Sequence, residues 1–127
     1  MCLQMLGAGK DAEVKRGLVW LDQINCKWDD AWGAAPLYYW YYITQARFHA
    51  GGMAWNKWNR QFSDELVKNQ VVLKATRTDE RDAGYWELPT KGGKIIRDHS
   101  TGLVYNTCLC TLMLETYYRY VPFGAKP

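Results

Sequence analysis

The sequence predicts an all-α fold of stacked helical hairpins, with a long irregular loop before the last helix. Three observations predict it. Apolar residues recur at spacings of three and four in four separate segments. Glycines, a proline and polar clusters punctuate those segments where helices would stop. The order of amphipathic helix, aromatic loop and largely apolar helix occurs twice along the chain. At 127 residues the whole chain, 1–127, reads as a single domain with enough length to bury a core.

The first helix is expected from about Ala12 to Gln23. Asp11 is placed as its N-cap, Glu13 complements the dipole in its first turn, and Val14, Leu18 and Leu21 form its apolar stripe. A loop with Trp28, Trp32, Gly33 and Pro36 leads to a second helix from about Leu37 to His49, ended by Gly51 and Gly52. Leu37, Trp40, Tyr41 and Phe48 occupy one side of it and Tyr39, Tyr42, Ile43 and Ala46 the other, the pattern of a helix surrounded by protein. A third helix starts near Met53 and carries Trp55, Trp58, Phe62 and Leu66 on one face. Ser63-Asp64-Glu65 resembles a fresh N-cap with an acidic first turn, so a break is expected near Phe62. Val71–Ala75 and Tyr85–Leu88 are expected to pair as a short hairpin inside an otherwise irregular stretch to about Gly102. The last helix, Leu103–Tyr120, is apolar nearly all round until an i,i+4 pair of Glu115 and Arg119.

Composition narrows the function classes. Sixteen basic against thirteen acidic side chains are scattered singly, which does not suggest nucleic acid as a partner. No apolar run approaches the roughly 20 residues of a membrane span, and Met1–Lys10 lacks the pattern of a targeting signal. Cys2, Cys26, Cys108 and Cys110 form no CxxC pair and read as buried free thiols. Seven Trp and nine Tyr against three Phe mean that most rings carry a polar tip, which suits a half-wet cavity wall as well as a core.

Gln70, then Gly84-Tyr85-Trp86, then the helix from Leu103 resembles the prenyltransferase and squalene oxidase repeat, with a longer gap than usual between the Gln and the Gly-x-Trp. That repeat builds the α/α toroid of terpene cyclases, squalene-hopene cyclases and protein prenyltransferase β subunits. The runs Tyr38-Tyr39-Trp40-Tyr41-Tyr42, Ala50-Gly51-Gly52 and Val104-Tyr105-Asn106-Thr107 are similar to those of bacterial terpene cyclase-like proteins. Aligning Tyr42-x-Thr44 with Tyr105-x-Thr107 defines repeat one as about 11–50 and repeat two as about 53–121, with Trp32 and Trp86 as corresponding plugs between repeats. Cys2–Leu6 then resembles the tail of a preceding inner helix. The resemblance implies the C-terminal repeats of a longer toroid, or a small relative that assembles with further repeats or with itself, and an isoprenoid or other apolar ligand.

A complete catalytic site is not expected. The acidic cluster of such cyclases is missing, since Asp29-Asp30 and Asp79-Glu80-Arg81-Asp82 lack its pattern and read as solvated loops. The zinc ligands of prenyltransferases are missing too, because Asp98-His99 and Cys108/Cys110 do not share their spacing, so neither metal nor cofactor is implied. The candidate ligand-binding wall is Tyr38, Tyr42, Gln45 and His49 on one stripe of the second helix, with Tyr105 from the last. The alternative for these polar tips is mutual hydrogen bonding in a packed interior, and for His49 a favourable charge at a helix C-terminus. Two other functions remain open: a carbohydrate-binding or polysaccharide-lyase-like α/α-barrel unit using Trp and Tyr platforms, and a structural self-association module.

Overall fold

The computed structural model describes residues 1–30, 35–87 and 102–119, and it is mostly helical, with one helix organising the rest. That helix, α3 (Ala35–Ala50), follows α1 (Cys2–Met5), α2 (Ala12–Leu21) and a 3-10 turn at Trp28–Asp30. After it come α4 (Gly52–Lys68), the strands β1 (Val71–Leu73) and β2 (Ala83–Tyr85), then α5 (Leu103–Leu114) and α6 (Thr116–Arg119). α3 touches every other helix and packs most extensively on α4 and α5. The reason lies in its composition: from Ile43 to Phe48 every side chain is buried, so this half of the helix has to be enclosed. The other half departs from expectation, because Tyr38, Tyr39 and Tyr42 are exposed and α3 is surrounded only over its C-terminal turns.

α3 and α4 meet at a two-residue turn. Gly51 and Gly52 both take positive φ, 67° and 56°, a conformation in which a Cβ would be strained. α4 then lays Trp55, Trp58, Phe62 and Leu66 into the core, with Trp55 edge-on to Phe48 at 5.0 Å between ring centroids. The break expected near Phe62 is absent. This stripe continues without interruption, and Ser63 is accommodated inside the helix by donating to the Arg60 carbonyl.

Val71–Leu73 and Ala83–Tyr85 form the expected hairpin with the second strand two residues earlier, Val71 opposite Tyr85. Asp82 sets that register, accepting from the Lys74 ammonium and from the Ala75 backbone N–H. These hydrogen bonds, that of Lys74 first, hold the Asp82 carboxyl below its ordinary range. A lowered carboxylate pKa stabilises the closed form above the unfolded pKa and loses that contribution as pH falls through the folded one. Acidification below about pH 4 is therefore expected to lower the protection factor of the Ala75 amide, its rate compared with the intrinsic rate at the same pH, while the helical circular dichroism persists. An unchanged Ala75 protection factor would show that Asp82 does not hold the hairpin.

The last helix is shorter than expected. It ends at Leu114, and the chain tightens into α6, with Tyr118 N–H bonded to the Glu115 carbonyl. Thr116, fully buried, donates its hydroxyl back to Leu112 and so secures the junction. α5 is not enclosed all round either, since Leu103 and Val104 are exposed. Trp32, Leu88, Asp98, His99, Tyr120 and the side chain of Arg119, with the expected Glu115–Arg119 pair, lie outside the described residues.

Gly17, inside α2, has no such backbone role. A Cβ there would touch nothing within 4 Å, and its φ is ordinary. Gly17→Ala is expected to stabilise the fold by about 0.5–1 kcal/mol, since glycine weakens a helix interior by that amount. Thermal unfolding by circular dichroism checks it.

Candidate functional site

Two hydrogen bonds to the aligned threonines tie neighbouring elements together. On α3, the Thr44 hydroxyl donates to the Trp40 carbonyl and accepts the indole N–H of Trp58 at 2.8 Å. On α5, the Thr107 hydroxyl donates to Leu103 and accepts the backbone N–H of Trp86 at 3.3 Å. Trp86 is buried and donates its indole N–H to the Leu66 carbonyl at the end of α4, so it bridges α4 and α5. Just before it, Gln70 lies across Gly84 so closely that a Cβ there would fall 2.5 Å from the Gln70 amide nitrogen. Gln70, Gly84 and Trp86 thus occupy one locality with a packing role.

An apolar groove of about 540 Å³ lies between α2 and α3. Trp20 and Leu21 of α2 form one wall, and Tyr39, Tyr42, Ile43 and Ala46 of α3 the other, with Asn25 the lone side-chain amide. No charged side chain lines it. Helical spacing puts residues 39, 43 and 46 on one face, and that face opens to the groove.

Of the expected ligand wall, only Tyr42 reaches this groove. Tyr38 and Tyr42 do come together, rings edge-to-face at 4.8 Å and hydroxyls 3.4 Å apart. Their hydrogen bond pushes the Tyr42 phenol above its ordinary pKa. Tyr105 is half-buried, close enough for its charge to act on Tyr42 in the same direction. Gln45 is buried away from the groove, and His49 sits half-buried in the last turn of α3, its pKa lowered by burial. Of the five, Tyr38 and Tyr42 are brought into contact with Tyr105 nearby, while Gln45 and His49 lie further along α3.

Two further side chains stand out. Trp20 lies outside the Val14, Leu18, Leu21 stripe and is 61% exposed beside the groove. Arg47 is 2% exposed, inside the core. Its guanidinium lies over the Trp58 ring at 5.3 Å and bonds to Asp22 at 2.9 Å. The signal available was its isolation: it is the single charged side chain between Leu37 and Phe48.

The thiols divide in two. Cys2 and Cys108 are exposed rather than buried as expected, whereas Cys26 and Cys110 are core residues. Burial pushes Cys110 up to about 12 and Cys26 further, so both stay protonated at neutral pH and are poor nucleophiles. Asp79 and Asp82 lie in an exposed loop, paired with Arg77 and Lys74. Among the described residues no three His, Cys, Asp or Glu side chains converge as metal ligands would, and no helix is long and apolar enough to cross a membrane. No protein-family model matches the chain, and no curated protein or solved structure shows significant similarity to it.

Proposed function

We propose that this chain is a terpene cyclase/prenyltransferase-like repeat unit that binds an apolar or mixed small molecule, without a complete catalytic site of its own. The observation that carries the reading is the groove of about 540 Å³ walled by Trp20, Tyr39, Tyr42 and Ile43 and free of charged side chains. Its size falls within the span of small-molecule sites, roughly 300–1,000 Å³. Its aromatic faces suit an apolar body, and Asn25 with the two phenols can orient a single polar group. The toroid-type stacking of repeats is supported by Gln70 packed on Gly84 beside Trp86, and by Trp86 bridging α4 and α5.

Farnesol is expected to shift the tryptophan emission, and Trp20→Phe to remove most of that shift because Trp20 is the exposed indole of the groove. Tyr39→Ala removes a ring that is 63% exposed and should weaken binding about tenfold while leaving the fold intact. If farnesol leaves the emission unchanged, the apolar-ligand reading fails. A second reading, carbohydrate recognition, is favoured by the exposed Tyr38–Tyr42 pair, whose edge-to-face rings could form a platform beside α3. It predicts a response to oligosaccharides that Tyr38→Ala abolishes and Trp20→Phe spares.

A further inference from the structure

The hydrophobic core begins at Cys26. Its buried members run from there to Met113, and from earlier in the chain only Leu21 and Ile24 lean against it, half-buried. α2 accordingly buries one side chain, Val14, where α4 buries four. Among the described residues, every backbone hydrogen bond of residues 1–24 stays within that stretch. Two side-chain hydrogen bonds carry it across to α3, one near each end. The Gln4 amide donates to the Ala46 carbonyl, and the Asp22 carboxylate accepts from Arg47, each at 2.9 Å.

The second of these is a single-point bond. Arg47 directs Nη1 at Asp22 and at the Ala54 carbonyl, and its buried Nε has no partner among the described residues, so the two-pronged geometry that makes such pairs strong is not formed. Asp22 is half exposed, and water competes for it. The chain is pinned firmly just afterwards. Cys26 and Trp28 are buried, and the Trp28 backbone N–H donates to Glu65 at 2.7 Å, whereas Gln23 and Asn25 are exposed. A segment with little burial and few bonds to its surroundings opens ahead of the rest.

We infer that α1 and α2 form a strap that opens from α3 about Gln23–Asn25 and carries one wall of the aromatic groove with it. Trp20 and Leu21 belong to the strap, while Tyr39, Tyr42 and Ile43 belong to α3, so the groove exists only when the strap is closed. A molecule lying between the two walls holds it closed, and release of the molecule frees it. This rests on the groove being a small-molecule site.

The test is hydrogen exchange read by mass spectrometry on the whole chain. Without ligand, the α2 amides should have protection factors at least about 100-fold below those of Trp55–Leu66. Gln4→Ala and Asp22→Asn should each lower protection throughout α2 about tenfold and leave α4 as it was. Farnesol at about 100 times its Kd should raise α2 protection about 100-fold, because it binds the closed form alone. Equal protection in α2 and α4, or variants that loosen only the turn they sit in, overturns the strap whatever farnesol does. Farnesol that shifts the tryptophan emission but leaves α2 protection unchanged overturns the coupling of strap and ligand and keeps the groove reading. Farnesol that does neither overturns that coupling and the groove reading together.

Discussion

Replacing Trp86 by alanine lowers stability by about 3–5 kcal/mol, the range for removing a large buried ring, read from the midpoint of urea unfolding. The ring is 3% exposed, and the residue joins three elements. Its indole N–H reaches the Leu66 carbonyl at 2.8 Å, its backbone N–H reaches Thr107, and it directly follows the hairpin. Trp86→Phe separates these contributions. It keeps most of the apolar volume and orphans a buried carbonyl at the end of α4, for about 1–3 kcal/mol. A Trp86→Ala protein as stable as the parent would show that the residue does not fasten α4 to α5.

Trp58→Ala is expected to cost a similar 3–5 kcal/mol for a different reason. This ring, 1% exposed, packs against Phe62 at 6.2 Å, donates to Thr44 and forms the surface under the Arg47 guanidinium. Its loss strands a buried cation whose remaining ion-pair partner, Asp22, is half exposed. Arg47→Met keeps the length of the side chain and removes the charge, so the damage done by Trp58→Ala should be smaller in that background. A double-mutant cycle is expected to give a coupling of about 1–2 kcal/mol. Additive losses would mean that the ring and the cation do not support each other.

Periodicity made α2 and α4 legible, because each has a stripe at spacings of three and four with polar residues opposite, and the apolar run after Gly102 marked the start of α5. It served less well where one residue can play two parts. Ser63 before two acids looks like a cap, yet its hydroxyl bonds within the helix, and no local pattern tells these apart. Asp11 has the extended backbone of an N-cap but makes no side-chain cap bond. For α3, hydrophobicity on both sides does not amount to enclosure on both sides, because Tyr tolerates water and the first turns remain open. The groove was the least legible feature. Residues 39, 43 and 46 share a face in any helix, but which face is covered depends on where α2 comes to rest. Trp20 belongs to that placement rather than to its own helix's stripe. Arg47 is hidden in the sequence for a related reason, since its compensation comes from Asp22 and Trp58, distant in sequence and adjacent only after folding.

The position of α3 has a consequence for how this protein is made. Its near neighbour α4 follows across a two-glycine turn and can dock as soon as both helices exist, a contact of short sequence separation. Its other main neighbour, α5, begins at Leu103, well downstream of Ala50. At roughly 5–20 residues per second a ribosome delivers α5 about 3–10 s after α3. During that interval the side of α3 that α5 covers has no permanent partner. The nascent chain thus presents an aromatic-rich surface for seconds, long enough for a chaperone or another nascent chain to find it.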